Sequence, residues 1–224
     1  MGVFAAPLLG DEVAFDRDLH AYLDQDNVRR MSVTQALTIS GLVDYSMVPE
    51  PVLRIAQQRG RLVHHAAAVI DRGDALDEFD VPAEIEPYIE GYHAFMREMK
   101  FVPDADWIER PMIVELFGQR VGMTPDAVGT IHGVPTLIER KTCASYHPAW
   151  AIQTAGYELG LTAAGLQIRQ RFAVQLAFET TGGPPRGVRY NAHASVILYT
   201  GESPIANALA WLWIRLIAVL TYVS

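Results

Sequence analysis

The chain has 224 residues, half of them apolar and a fifth charged, which fits a folded domain and excludes a disordered chain. Its formal net charge of −8 is unfavourable for a nucleic-acid protein, although the distribution of charge matters more than its sum. The only cysteine, Cys143, excludes an intramolecular disulfide and a four-cysteine zinc or iron–sulfur site within the chain.

The first hundred residues predict mainly helices. Ser32 and the residues after it are typical of a capped helix start. Apolar residues recur at helical spacing over residues 52–71 and again over 82–96, which predicts two amphipathic helices. The acidic stretch between them, residues 71–81, is predicted to be a solvated loop.

Strand-like segments begin after Phe101. Three of them, separated by turns at glycine, predict a three-stranded antiparallel meander over residues 112–116, 127–131 and 136–140. A helix over residues 150–161 follows, then strands over 171–178 and 194–199 joined by a turn at 182–185. This order predicts an α/β fold in which helices flank a mixed sheet.

Residues 205–223 form an apolar segment that approaches transmembrane length. Arg215 lies in its middle, where an arginine costs roughly 2.5–3.5 kcal/mol on membrane-insertion scales. We therefore expect a helix that covers the sheet or makes an oligomer contact, and no membrane partner. The first ten residues lack the features of a signal peptide, so a cytoplasmic location is expected.

The segment Thr136-Leu-Ile-Glu-Arg-Lys-Thr142 carries a possible reaction centre. Side chains alternate along a strand, so Glu139 and Lys141 point to the same face. Lys141 is also one of only two lysines in the chain. A carboxylate beside an ammonium can bind a metal ion and its attacking water, whereas the alternative is a surface ion pair of little energetic value.

Asp126 is the second carboxylate of this centre. It ends the turn Gly122-Met-Thr-Pro-Asp126, and a hairpin at residues 132–133 brings the chain back to Glu139. The two carboxylates can therefore meet across neighbouring strands and bind a hard cation such as Mg²⁺. The alternative reading of Asp126 is a carboxylate that caps the turn.

Asp126 and the triplet Glu139-Arg-Lys141 together resemble the core motif of the PD-(D/E)XK nuclease superfamily, in particular its RecB-like and phage exonuclease branch. Two further motifs occur in family order. Gly60-x-x-x-His64 resembles the element of the helix before the core, and Gln153-x-x-x-Tyr157 resembles the motif of the helix after the lysine strand.

The resemblance implies a restriction-endonuclease-like mixed β-sheet core flanked by helices, with an N-terminal helical elaboration. Residues 1–224 would form a single nuclease domain, mainly helical over 1–100 and carrying the α/β catalytic core over 101–224. It implies that Mg²⁺ or Mn²⁺ is bound by His64, Asp126, Glu139 and the backbone carbonyl of Arg140. Some family members add a glutamate before the central aspartate; Glu109 and Glu115 are both candidates.

The resemblance also implies how the other motif residues act. Lys141 would orient or activate the attacking water, and Gln153 and Tyr157 would hold Lys141 or a DNA phosphate. The expected function is a metal-dependent deoxyribonuclease in recombination, repair or phage DNA metabolism. Exonuclease action on linear duplex or single-stranded ends is favoured by the phage branch.

Partners and alternatives remain open. A homo-oligomer and a recombination partner protein are both compatible with the resemblance. The alternative function is a non-catalytic DNA-binding or assembly module that keeps the nuclease fold. A cysteine hydrolase built on Cys143 and His147 is disfavoured, because no third group that would orient the histidine is apparent.

Overall fold

The computed structural model describes residues 7–9, 12–16, 19, 21–76, 81–116, 118–143, 146–178, 188–190 and 197–200, with side chains described up to residue 176. Within these ranges the chain forms four helices and three β-sheets, which confirms the α/β class. Among the described residues, no helix has the length and hydropathy needed to span a membrane. The predicted turn at 182–185 and the predicted terminal helix at 205–223 lie outside the described residues.

The helices and strands follow one another in chain order. The first half contains β1 (Leu8–Leu9), β2 (Ala14–Asp16), β3 (Ala21–Leu23), β4 (Arg29–Arg30), α1 (Val33–Ile39), α2 (Glu50–Asp71), α3 (Glu86–Met99) and β5 (Phe101–Ile108). The second half contains β6 (Met112–Leu116), β7 (Gln119–Met123), β8 (Ala127–Ile131), β9 (Val134–Lys141), α4 (Ala149–Ala163), β10 (Gln170–Phe178), β11 (Val188–Tyr190) and β12 (Ile197–Thr200).

The central sheet is mixed, as predicted. Its described strands lie in the order β11-β10-β9-β8-β5, and β12 also pairs with β10. β9 and β10 are parallel, whereas β8 is antiparallel to both of its neighbours, β5 and β9. Parallel neighbours need a crossover connection, and α4 provides it between β9 and β10.

Helices cover both faces of this sheet. Ile138 and Phe172 pack with apolar residues of α2 and α3 on one face. Leu137 and Val128 pack on the other face with α1, α4 and the strands β6 and β7. Neighbouring residues of β9 are buried on opposite faces, as its alternation predicts, so the end of this strand lies between the two helical layers.

The predicted three-stranded meander is wrong in one strand. β8 and β9 are antiparallel neighbours, but β6 pairs with β7 and β1 in a separate sheet. The sequence predicts a turn at β7 because this segment contains Gly122. Gly122 nevertheless lies within a strand. A Cβ at this position would collide with the Tyr22 ring of β3, so close packing requires a glycine here.

The N-terminal part contains the three predicted helices and four short strands that were not predicted. Ser32 caps α1 by accepting the backbone N–H of Gln35, as its position predicts. α2 begins at Glu50, two residues before the predicted start, whereas α3 begins at Glu86 because the residues after Pro82 form a turn. β2, β3 and β4 pair in a small antiparallel sheet.

Candidate active site

The start of β8 and the end of β9 bring the predicted carboxylates together. Ala127 pairs with Ile138 in the antiparallel register, so Asp126 and Glu139 are cross-strand neighbours. Oδ2 of Asp126 accepts the backbone N–H of Arg140 at 2.5 Å. Both carboxylates are buried, with 6% of Asp126 and 3% of Glu139 exposed to solvent.

His64 reaches the same point from α2. Its Nδ1 lies 3.0 Å from Oδ1 of Asp126. Glu109 completes a cluster, because one ligand atom from each of His64, Glu109 and Asp126 lies within 4.8 Å of the others. Glu109 follows β5 in a left-handed backbone conformation, with φ of 44°, and its N–H donates to the carbonyl of Asp126.

This cluster distinguishes the two glutamates that the sequence left open. Glu115 lies in β6 of the separate sheet, opposite Arg120, whereas Glu109 lies beside Asp126. No sequence signal could select Glu109, since its position depends on the left-handed turn after β5 and on the pairing of β5 with β8.

A second group of side chains lies on the α4 side of β9. Nζ of Lys141 donates to Oε1 of Glu139 at 2.9 Å and to Oε1 of Gln153 at 2.8 Å. Nε2 of Gln153 donates to the same Glu139 oxygen at 2.8 Å and to the hydroxyl of Tyr157 at 3.1 Å. The four residues predicted from the two motifs are therefore joined by hydrogen bonds.

The observed cluster lacks Glu139 of the predicted ligand set and contains Glu109. Glu139 is not in the three-residue cluster, because its Oε1 is held by Lys141 and Gln153. Its Oε2 is buried and has no hydrogen-bond partner. Such an atom is costly unless it binds something, so Glu139 keeps one oxygen for a ligand. The carbonyl of Arg140 stays a prediction; Arg140 lines the adjacent cavity.

Crowding of charges shifts the pKa values of these groups in opposite directions. Burial alone would raise the pKa of Asp126, but His64, Arg140 and Lys141 hold it well below its ordinary value. Burial and the neighbouring Asp126 carboxylate raise the pKa of Glu139. Burial alone would lower the pKa of Lys141, but Glu139 and Asp126 raise it, so the ammonium stays protonated at neutral pH.

A cavity of about 480 Å³ opens beside these groups, between α1, α2, the end of β9 and the start of α4. Arginine, lysine and histidine residues line it, and no aspartate or glutamate does so among the described lining residues. They are Arg59, His64, Lys141 and His147; Arg140 also borders the cavity, but its guanidinium is buried and pairs with Asp71. A chain with net charge −8 thus presents a cavity suited to an anion.

Two buried partners of the site were not predicted. The sequence placed Asp71 both at the end of the predicted helix 52–71 and at the start of the predicted solvated loop 71–81. The helix is confirmed and the solvated loop is wrong for this residue, which is the last residue of α2 and only 6% exposed. It accepts hydrogen bonds from the guanidinium of Arg140 at 2.9 Å and from the hydroxyl of Tyr92 at 2.6 Å. The only available signal was its helical spacing from His64, two turns earlier on α2.

Cys143 and His147 both line the cavity, as their closeness in sequence allows. Nδ1 of His147 accepts the backbone N–H of Ala149 at 3.1 Å, next to the start of α4. Burial raises the pKa of the Cys143 thiol, which disfavours the reactive thiolate. This geometry gives no support to a cysteine nucleophile.

Comparison with known proteins adds little to this geometry. No family model and no curated protein matches the sequence. Among solved structures, the crystal structure of SSO0001 is similar at 13% sequence identity and a TM-score of 0.36, covering 74% of this chain and 71% of that chain. The proposed function is therefore argued from the site itself.

Proposed function

We propose that the chain is a Mg²⁺- or Mn²⁺-dependent deoxyribonuclease with a restriction-endonuclease-like core of the PD-(D/E)XK type. One observation carries this proposal. Cation ligands from His64, Glu109 and Asp126 converge beside the hydrogen-bonded pair of Glu139 and Lys141, next to a cavity lined by basic residues. Helices on both faces of a mixed sheet, with the site at the ends of two neighbouring strands, agree with such a core.

The donor atoms fit a small divalent cation. Mg²⁺ and ions of similar size bind oxygen ligands at about 2.0–2.1 Å, so adjacent ligands of one octahedral ion lie roughly 3 Å apart. The 3.0 Å between His64 Nδ1 and Asp126 Oδ1 matches this spacing. The buried Oε2 of Glu139, which lacks a hydrogen-bond partner, offers a further oxygen. An imidazole donor beside carboxylates favours Mn²⁺ over Mg²⁺.

Phosphodiester hydrolysis needs an attacking water and neutralisation of charge on the phosphate. A divalent cation held by His64, Glu109 and Asp126 would lower the pKa of the attacking water and provide part of that neutralisation. Lys141 supplies a fixed positive charge, because Glu139 and Gln153 hold its ammonium in place and the Glu139 and Asp126 carboxylates raise its pKa. Its third N–H can donate to the attacking water or to a phosphate oxygen.

The cavity favours a phosphate-containing substrate. Arg59 and Lys141 both line it and bring two cationic side chains to one place. Nη2 of Arg59 donates to the carbonyl of Thr142 at 3.3 Å, so the guanidinium is held next to the end of β9. Its Nε is buried and has no hydrogen-bond partner, which leaves a donor for a ligand oxygen.

The test is digestion of end-labelled linear duplex, single-stranded and closed circular DNA with Mg²⁺ or Mn²⁺. Wild type is compared with Asp126→Asn and Glu109→Gln, which keep the side-chain shape and remove one ligand charge. Glu115→Gln is the matched control, because Glu115 lies in the separate sheet. We expect both site variants to lose cleavage and the control to keep it.

The cleavage pattern assigns the mode of action. Loss of linear DNA with intact circles indicates an exonuclease, and nicking of circles indicates an endonuclease that uses the same site. If the wild type cuts none of these substrates with either metal, or Asp126→Asn cuts as fast as wild type, the catalytic assignment is wrong. A wild type that cuts none of these substrates would favour the alternative function, a non-catalytic DNA-binding or assembly module, whereas an active Asp126→Asn variant would place the reaction centre elsewhere.

A further inference from the structure

Arg140 is the middle residue of the Glu139-Arg-Lys141 triplet, and its side chain points away from its two neighbours. It is completely buried, on the face of β9 covered by α2 and α3. Burial of a guanidinium is unfavourable unless its charge is paired and its N–H groups donate hydrogen bonds. The partners of this arginine therefore show which groups it holds in place.

Those partners come from three elements. Nη1 donates to Oδ2 of Asp71, the last residue of α2, at 2.9 Å. Nη2 donates to the backbone carbonyl of Asp126 at 3.0 Å, and Nε lies 3.6 Å from Oδ2 of the same residue. The guanidinium also stacks over the ring of Tyr92 in α3, with 5.2 Å between the guanidinium carbon and the ring centroid.

Asp71 connects this arginine to His64. The two residues lie two helical turns apart on α2, and hence on one face of the helix. Tyr92 donates its hydroxyl to the second oxygen of Asp71 at 2.6 Å, so this carboxylate is held at both oxygens. Through Asp71, one side chain of β9 therefore determines how far α2 lies from Asp126.

We propose that Arg140 is the positioning residue of the metal site: its guanidinium joins Asp71 of α2 to Asp126 and so sets the distance between His64 and the Asp126 carboxylate. This role rests on the proposed metal-dependent nuclease. Arginine suits it because its planar fork can donate to two groups on different elements at once. A lysine would provide one point charge and could not span both partners with the same geometry.

The test measures Mn²⁺ affinity by calorimetry and the Mn²⁺ environment by electron paramagnetic resonance, both without DNA. The variants are Arg140→Lys and Asp71→Asn. Arg171→Lys is the matched control, because Arg171 is equally buried in the neighbouring strand β10 but pairs with Glu158 of α4. We expect about ten- to hundredfold weaker Mn²⁺ binding in the two variants, as for other residues that orient metal ligands.

A structural role alone would lower thermal stability without this loss of affinity. We therefore expect Arg171→Lys to keep the wild-type Mn²⁺ affinity and resonance signal even where its melting temperature falls. Nuclease activity of Arg140→Lys should also recover at high Mn²⁺ concentration, because the defect is in binding. Should Arg140→Lys fail to fold, Tyr92→Phe carries the test: it removes one hydrogen bond to Asp71 and keeps the ring under the guanidinium.

Three outcomes are distinct. Weaker Mn²⁺ binding in the Arg140, Asp71 or Tyr92 variants with an unchanged Arg171 control supports the positioning role. Wild-type affinity and an unchanged resonance signal in the folded variants overturn it and leave the proposed nuclease intact. Absence of Mn²⁺ binding by the wild type overturns the metal site itself, and with it the role of Arg140.

Discussion

Gln153 connects the two motifs of the candidate active site through its hydrogen bonds. Its Oε1 accepts from Lys141, and its Nε2 donates to Glu139 and Tyr157. The amide therefore presents its acceptor to the lysine and its donor to the carboxylate, and only one orientation of the amide allows both. A carboxylate at this position would add a third negative charge beside Glu139 and Asp126, which explains why an amide suits the site.

Part of this arrangement is predictable from the sequence, and part is not. Alternation along β9 predicts that Glu139 and Lys141 share a face, and helical spacing predicts that Gln153 and Tyr157 share one. Glu109 was one of two candidates, and the sequence could not distinguish it from Glu115, whereas Asp71 was not predicted as a member of the site. Long-range packing brings both residues there, and no local pattern reveals it.

Asp24 carries a testable pH dependence of stability. It is 3% exposed, accepts backbone N–H groups of Asp26 and Val28, and pairs with Arg30 and Arg120. Burial would raise its pKa, but these hydrogen bonds lower it to about 2. A lowered pKa means that the stabilisation is complete above the unfolded pKa of about 3.9 and is lost as pH falls towards 2.

We therefore expect Asp24→Asn to be less stable than wild type at pH 6 and the difference to shrink below pH 4. Urea unfolding followed by circular dichroism at pH 6, 4 and 3 measures it. Asp26→Asn is the control, since the Asp26 side chain is exposed. A difference between wild type and Asp24→Asn that stays constant over this range would contradict the lowered pKa.

At the scale of helices and strands, strand pairing is the feature that the sequence predicts least well. The compositions of β6, β8 and β9 are all strand-like, so local pattern predicts three neighbours in one sheet. β7 lies between β6 and β8 in sequence, and β6 pairs with β7 in a separate sheet. Nothing local reveals this, because Gly122 in β7 is selected by its contact with Tyr22, about a hundred residues earlier.

A second glycine, Gly129, lies where the central sheet has no room for a side chain. At Gly129 in β8, a Cβ would collide with the carbonyl oxygen of Val102 and lie 2.8 Å from Cα of Pro103 in β5. Backbone atoms of a paired strand cannot move aside easily, so we expect Gly129→Ala to lower the free energy of unfolding by about 1–3 kcal/mol. Urea denaturation measures the change.

Gly60 provides the contrasting variant. A Cβ there would make an ordinary contact, 3.5 Å from Oγ1 of Thr142, and the residue lies inside α2. Alanine is favoured over glycine within a helix by roughly 1 kcal/mol, so Gly60→Ala should keep or raise stability. If Gly60→Ala and Gly129→Ala destabilised the protein equally, the close approach of β5 to Gly129 would not explain why this residue is a glycine.

The distribution of charge over the whole molecule limits how the proposed DNA substrate could be bound. The net charge of −8 opposes broad contact with a phosphate backbone, whereas the cavity concentrates basic residues at one place. If Arg59 and Lys141 make two phosphate contacts with a single strand, the logarithm of the affinity should fall with the logarithm of salt concentration with a slope of about −1.4. This slope is shallow for a nucleic-acid protein.

Fluorescence anisotropy of a labelled single strand in EDTA, over a range of salt concentrations, measures this slope. Arg59→Met should weaken binding and reduce the slope by about 0.7, which is one phosphate contact. Arg97→Met is the control, because Arg97 is exposed on α3 and does not line the cavity. Equal effects of the two replacements would show that phosphates are not bound in the cavity.

The most direct test of the proposed nuclease is the single-turnover cleavage rate of the two lysine variants. Lys141 and Lys100 are the only lysines, and Lys100 is exposed at the end of α3, so Lys141→Met and Lys100→Met remove the same charge from different places. With saturating Mn²⁺, we expect Lys100→Met to cut DNA at the wild-type rate and Lys141→Met to be slower by about 10²–10⁴-fold. Equal rates for Lys141→Met and wild type would contradict a reaction centre at the end of β9.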